Sequence, residues 1–154
     1  MLRKIQLTLA VLALLASPIL SPAVAAPKTV LVIVSKKLSV TAISLETLRL
    51  VFQAQVKTWP DGTTAVPFNL PPENALRHDF DSVVLGLEPY LVARYWIDRR
   101  VRDGDRPPLR APSPALMVRV VSSLVGAVGY VEEGTEDASV KAIAKIVNGK
   151  VVAP

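Results

Sequence analysis

The chain has 154 residues, of which 51% are hydrophobic, 20% charged and 5% aromatic, with 13 Pro, 7 Gly, no Cys and a formal charge of +5. That composition excludes a disordered tail, a collagen-like repeat, a disulfide scaffold and a cysteine-ligated zinc or haem site. The apolar surplus is uneven, and residues 1–25 read as an export signal rather than as part of a fold.

Arg3 and Lys4 supply a positive start, and Ile5 to Leu15 is an uncharged apolar run. Pro18, Ser21 and Pro22 then break any helix, and Ala23-Val24-Ala25 satisfies the small-x-small rule of a signal peptidase site. The rival reading, an uncleaved anchor, asks for about 20 consecutive apolar residues. The prolines and polar residues interrupt such a run. No cysteine follows the apolar stretch, so lipid attachment is excluded, and no later segment is long and apolar enough to span a bilayer. The expectation is a signal peptide over 1–25, cleavage near Ala25, and a periplasmic or secreted product with no stable membrane anchor. Cleavage removes Arg3 and Lys4, so the charge of the remaining chain falls by two. An exported chain of that balance gives little support to nucleic-acid binding; weak attraction for anions stays open.

Residues 26–154 read as one α/β domain. Val30 to Val34 is a short β-branched run, as in a strand buried on both faces. Ser44 is placed to cap a helix over 45–53, with Leu45, Leu48 and Phe52 on one face. Trp59-Pro60-Asp61-Gly62 is a turn. Thr64 to Leu70 reads as a strand in which Pro67 argues for an edge position or a bulge. Pro71-Pro72 opens a helix over about 73–85, striped by Leu76, Phe80, Val83 and Val84 and closed by Gly86. Glu88-Pro89 starts another helix, with Leu91, Val92, Tyr95, Trp96 and Val101 available to a core. Arg102 to Pro112 is charged, proline-rich and read as loop. Ser113-Pro114 caps and starts a helix with Leu116, Met117, Val120, Val121 and Leu124 inward, and Gly126 stops it. Ala127 to Val131 is a strand, Glu132 to Asp137 an acidic loop, and Val140 to Val147 an alternating strand. Asn148-Gly149 then turns the chain towards Val151 and Val152.

No nucleotide-binding, nucleophile-elbow or zinc-protease motif is present, and one histidine without cysteine makes a metal site hard to build. Neither an enzyme nor a bound cofactor is expected. Asp79 and Asp81 are two apart, so on a helix they point away from each other. His78 reads as a residue of the polar helix side. Arg94, Arg99, Arg100, Arg102, Arg106 and Arg110 form the densest basic segment, offset by Asp98, Asp103 and Asp105. It reads either as a surface for anions or acidic partners or as a solvated face with local ion pairs.

Ser44-Leu45-Glu46-Thr47-Leu48-Arg49-Leu50-Val51-Phe52, Trp59-Pro60-Asp61-Gly62, Arg77 with Phe80, Tyr95-Trp96 and Gly126-Ala127-Val128-Gly129-Tyr130-Val131 occur in a distinctive order. Together they resemble the phosphate-binding periplasmic solute-binding proteins of ABC transporters, in particular short single-domain relatives. The resemblance covers about residues 30–147. It implies a type II periplasmic-binding-protein-like α/β lobe, a mixed sheet flanked by helices, in place of the two lobes that close on an anion in full-length members.

The family's anion motif is Ser-Gly-Thr at a helix N-terminus, often followed by Arg and then Phe. Free backbone N–H groups and the positive helix end meet the anion there. Aligned on Arg77 and Phe80, Asn74, Ala75 and Leu76 occupy the Ser, Gly and Thr positions, and Pro72 and Leu70 replace an acidic residue and an arginine. Asn74 can still donate, whereas Leu76 cannot. The resemblance therefore implies weak capture of a small phosphate-like oxyanion by Asn74 and Arg77 with Ser35 and Lys36 at the end of the first strand. Two readings follow. One is solute capture for an ABC permease. The other is an interaction module that has lost phosphate binding and contacts another envelope protein, as a homodimer replacing the missing lobe.

Overall fold

The computed structural model describes residues 28–154, so the signal peptide expected over 1–25 lies outside the described residues. The elements are β1 (Val30–Ser35), α1 (Leu45–Phe52), β2 (Val66–Asn69), α2 (Ala75–Val84), α3 (Pro89–Asp103), β3 (Leu109–Arg110), α4 (Pro114–Ser123), β4 (Ala127–Glu132), β5 (Val140–Val147) and β6 (Lys150–Val152). The six strands form one mixed sheet in the order β3-β2-β4-β1-β5-β6. β1 is antiparallel to both β4 and β5, while β2 is parallel to both β3 and β4.

β1 is buried along its whole length, as a continuous β-branched run at the middle of a sheet requires. The expected caps are formed: Thr47 N–H donates to Ser44 Oγ at 3.1 Å, and Leu116 N–H donates to Ser113 Oγ at 3.3 Å. Side chains alternate across β4, and this places the helices in two layers. Gly129 faces α4, where an added Cβ would collide with Met117. Its neighbour Tyr130 faces the other way and stacks on Phe80 of α2, centroids 3.8 Å apart and planes 6° apart. Phe52 of α1 closes the cluster, 4.7 Å from Phe80. Tyr95 ties α3 to the end of α1 by donating to the Gln53 carbonyl at 3.0 Å.

Four expectations need correction. First, β2 as a whole is not an edge strand, because it has neighbours on both sides, although Pro67 itself is paired only on the β4 side. Val66 N–H donates to Gly126 O on the β4 side. The next amide position, that of Pro67, therefore faces the other side, where β3 pairs only from Phe68 onward. A missing donor there leaves no partner unmet. Second, the segment read as loop over 102–112 holds the end of α3, stopped by Gly104 at φ 70°, and the two-residue strand β3. Third, Val101 is 81% exposed, on the outer face of α3. Fourth, Leu124 is exposed just past the end of α4, and Val118 is buried in company with Met117 and Val121.

Candidate functional site

β2 and β3 run parallel and end at the same rim of the sheet, with Asn69 opposite Arg110. The chain leaves β2 through Leu70, Pro71 and Pro72 and turns directly into α2. Side chains from two strand ends and one helix therefore converge beyond the carboxyl ends of parallel strands, the place where open α/β sheets hold ligands. A pocket of about 240 Å³ lies there, and Asn69, Arg77, His78, Asp81, Trp96 and Arg110 are among the residues that line it.

A buried hydrogen-bond chain forms its floor. Tyr130 O–H donates to Asn69 Oδ1 at 2.9 Å, and Leu70 N–H donates to Tyr130 Oη at 3.3 Å. Burial raises the Tyr130 phenol far above its ordinary pKa, so it remains a neutral donor. Arg77 Nη1 donates to Leu70 O at 3.0 Å, and its Nε donates to Asp81 Oδ2 at 3.2 Å. His78 Nε2 lies 2.5 Å from Pro72 O. The Asp81 side chain is 6% exposed, and its Oδ1 has no hydrogen-bond partner. Burial pushes the Asp81 carboxyl above the usual carboxylate range, and the Arg77 charge offsets part of that rise. Arg110 is exposed and forms no ion pair among the described residues.

The helix that begins at Ala75 has its first turn already occupied. Leu76 N–H donates to Asn74 Oδ1 at 2.9 Å, and the Arg77 and His78 amides donate to Asn74 O at 3.1 and 3.3 Å. Asn74 thus acts as the helix cap, and it is not among the residues lining the pocket. The free amides that make a helix end attractive to anions are largely engaged. What the pocket offers an anion is the side-chain charge of Arg77 and Arg110.

Ser35 and Lys36 do not join them. β1 and β2 both reach β4, one antiparallel and the other parallel, so their carboxyl ends lie at opposite rims of the sheet. Ser35 is buried at the far rim, where its Oγ lies 3.4 Å from Ser122 O and accepts from Lys37 N–H at 3.3 Å. Lys36 is exposed in the turn that follows. The structure brings Asn74 and Arg77 together and separates both from Ser35 and Lys36.

Asn69, Tyr130 and Asp81 were not apparent as site residues in the sequence. Asp81 carried one usable signal, its four-residue spacing from Arg77, which pairs side chains on a helix. Arg110 was visible only as one of a basic run. Within that run Arg99 pairs with Asp103 at 2.9 Å and with Asp105, and Lys57 also pairs with Asp105 at 2.9 Å. These bridges hold the Gly104–Pro108 segment in place. Pro107, Pro108 and Trp96 form a wall shared with a second pocket of about 270 Å³, mostly apolar, bounded by Phe52, Val56, Val66 and Leu109. Among the described residues, no cluster of His, Asp and Glu could hold a metal ion, and no helix is long and apolar enough to cross a membrane.

A mixed sheet between two helical layers, with a pocket at the ends of two parallel strands, is the architecture of a periplasmic-binding-protein-like lobe. Solved structures share this fold. The chain superposes on an ABC-type phosphate transport receptor from Vibrio cholerae with a TM-score of 0.62 and 21% identity, over 77% of this chain and 46% of that one. A possible phosphate binding protein from Planctomyces limnophilus gives 0.58 and 13%, over 77% and 42%. PstS from Borrelia burgdorferi gives 0.55 and 13%, over 71% and 42%. The chain thus shares the fold of phosphate ABC transporter binding proteins and spans less than half the length of those it matches. No family model matches the sequence, and no curated protein is similar to it.

Proposed function

We propose that the chain, once residues 1–25 are removed on export, is a module that binds a small oxyanion in the pocket between α2, α3 and the ends of β2 and β3. The observation that carries this reading is the convergence of Arg77 and Arg110 on a pocket whose buried carboxylate, Asp81, has one oxygen without a partner. Two guanidiniums favour an anion through charge-assisted hydrogen bonds. A bare carboxylate oxygen favours a ligand that also carries a proton. Hydrogen phosphate supplies both, whereas sulfate leaves Asp81 Oδ1 unmet and facing a second negative charge. Arg77 holds its donors in place through Leu70 and Asp81, and Arg110 closes from the strand end. Delivery to an ABC permease is the role this chemistry suits, and the shared fold supports it.

A second reading has its own support. Asn74 caps the helix, Leu70 and Leu76 stand where the resemblance places donors, and Pro72 stands where it places an acidic acceptor, so this site lacks the cradle that a tight anion trap uses. On that reading the chain is an envelope interaction module without phosphate capture.

Thermal melting with and without anions separates the two. Phosphate at 100 times its dissociation constant stabilises the folded state by about 2.7 kcal/mol. A rise in melting temperature with millimolar phosphate, smaller with sulfate, supports capture. An unchanged melting temperature in both rejects it and leaves the interaction module.

A further inference from the structure

α3 carries an apolar stripe on the face where a surface helix normally shows only polar residues. Its inner side is buried through Val92 and Trp96. Tyr90, Ile97 and Val101 are 71%, 63% and 81% exposed. At 3.6 residues per turn these three fall within about 40° of one another, and their centre lies about 160° around the helix from Val92 and about 120° from Trp96. Single exposed apolar residues are ordinary, but three aligned along one helix form a patch that marks an interaction.

Two charges border the stripe. Arg94 and Asp98 are exposed on the same side of the helix and form no ion pair among the described residues, although they stand four apart. Arg99 and Asp103 have the same sequence spacing and do pair. The outer face therefore reads, along the chain, as apolar Tyr90, basic Arg94, apolar Ile97, acidic Asp98 and apolar Val101. Reversed, it is apolar, acidic, apolar, basic and apolar. The face is complementary to itself in the antiparallel direction.

We propose that this face of α3 is a self-association surface on which a second copy of the chain docks antiparallel about a two-fold axis. Tyr90 then packs on Val101 of the partner subunit, and Ile97 meets the partner's Ile97 near the axis. Arg94 pairs with Asp98 of the partner subunit, and the axis repeats each contact. A foreign partner has no need of a palindromic charge order, whereas a second copy requires one. The interface is one helix wide, below the roughly 1,200 Å² at which stable interfaces begin, so the dimer exchanges readily with monomer. From α3 the pocket at the ends of β2 and β3 is lined by Val92, Ala93 and Trp96 and not by Tyr90, Ile97 or Val101, so the docking stripe and the pocket use different residues.

Sedimentation equilibrium from micromolar to millimolar protein tests this. The expected result is a mass rising from one chain towards two. Ile97→Glu should abolish the rise, while Arg94→Asp and Asp98→Arg alone should each weaken association about tenfold, the two symmetry-related pairs that either change turns repulsive contributing about 1.4 kcal/mol together. The combined Arg94→Asp and Asp98→Arg variant should recover it, because the pair is re-formed with its signs exchanged. All these residues are exposed, and unchanged circular dichroism confirms folding. A mass that stays at one chain throughout overturns the proposal. So does undiminished association of Ile97→Glu, or failure of the charge exchange to restore what either single change removes.

Discussion

Arg77 and Asp81 lie one turn apart on α2, Nε 3.2 Å from Oδ2, and the pair leaves Asp81 Oδ1 buried with no hydrogen bond. A well-matched buried ion pair satisfies both carboxylate oxygens; this one satisfies half. The unmet oxygen is a local defect in stability, in a residue that also lines the pocket.

The first prediction concerns pH. Burial holds the folded pKa of Asp81 above its unfolded value. Its contribution to stability is therefore full below the unfolded pKa, about 3.9, and is lost as pH rises through the folded pKa. Asp81→Asn keeps the shape without the charge and has no such loss. The melting temperature of the variant minus that of the natural protein should increase from acid to neutral pH. A difference that stays flat or decreases would show that Arg77 fully compensates the buried charge.

The two arginines of the pocket should separate cleanly. Arg110 is exposed and supports no other residue, so Arg110→Ala should change stability by less than about 0.5 kcal/mol. It should nevertheless remove most of any phosphate-dependent rise in melting temperature. Arg77→Ala withdraws the bond to Leu70 O and leaves Asp81 without its counter-charge, and should destabilise by about 3 kcal/mol even without phosphate. Chemical denaturation with and without phosphate measures both effects. An Arg110→Ala protein with an undiminished phosphate response would place the anion elsewhere.

Much of this architecture is legible in the residues themselves. The β-branched run at Val30 and the Ser44 and Ser113 caps act within a few positions of the chain, so local pattern finds them. β3 escapes it because two exposed residues carry no period, and only parallel pairing with β2 makes them a strand. Val101 misleads for a different reason. α3 has apolar residues on both faces, and a periodic stripe cannot say which of two faces is covered. At the site, Arg77 is visible but its surroundings are not. Grouping it with Ser35 and Lys36 requires knowing the relative direction of β1 and β2, which is settled by their pairing with β4 rather than by either strand.

Tyr130→Phe tests the pocket floor. The ring keeps its stack on Phe80, so the loss is confined to the hydroxyl. Asn69 Oδ1 and Leu70 N–H would both lose their partner in a buried place, at a cost of about 1–3 kcal/mol. Denaturant unfolding should show a lower midpoint with an unchanged slope. A midpoint equal to that of the natural protein would mean that water replaces the hydroxyl.

The last prediction concerns the opposite face of the same strand. Gly129 lies under Met117 and Val121 of α4, and an added Cβ would meet the Met117 side chain inside van der Waals contact. Gly129→Ala should destabilise by about 1–3 kcal/mol through overpacking. Met117→Ala alone should cost about 2–5 kcal/mol, because Met117 is fully buried and its removal leaves a cavity. Together the two changes should cost less than their sum by about 1 kcal/mol or more, since the new methyl occupies part of the space the thioether vacates. Equilibrium unfolding of the four proteins gives that coupling directly. Strict additivity would mean that α4 moves away from the sheet instead of clashing with it, and that glycine at 129 sets the distance between helix and strand only loosely.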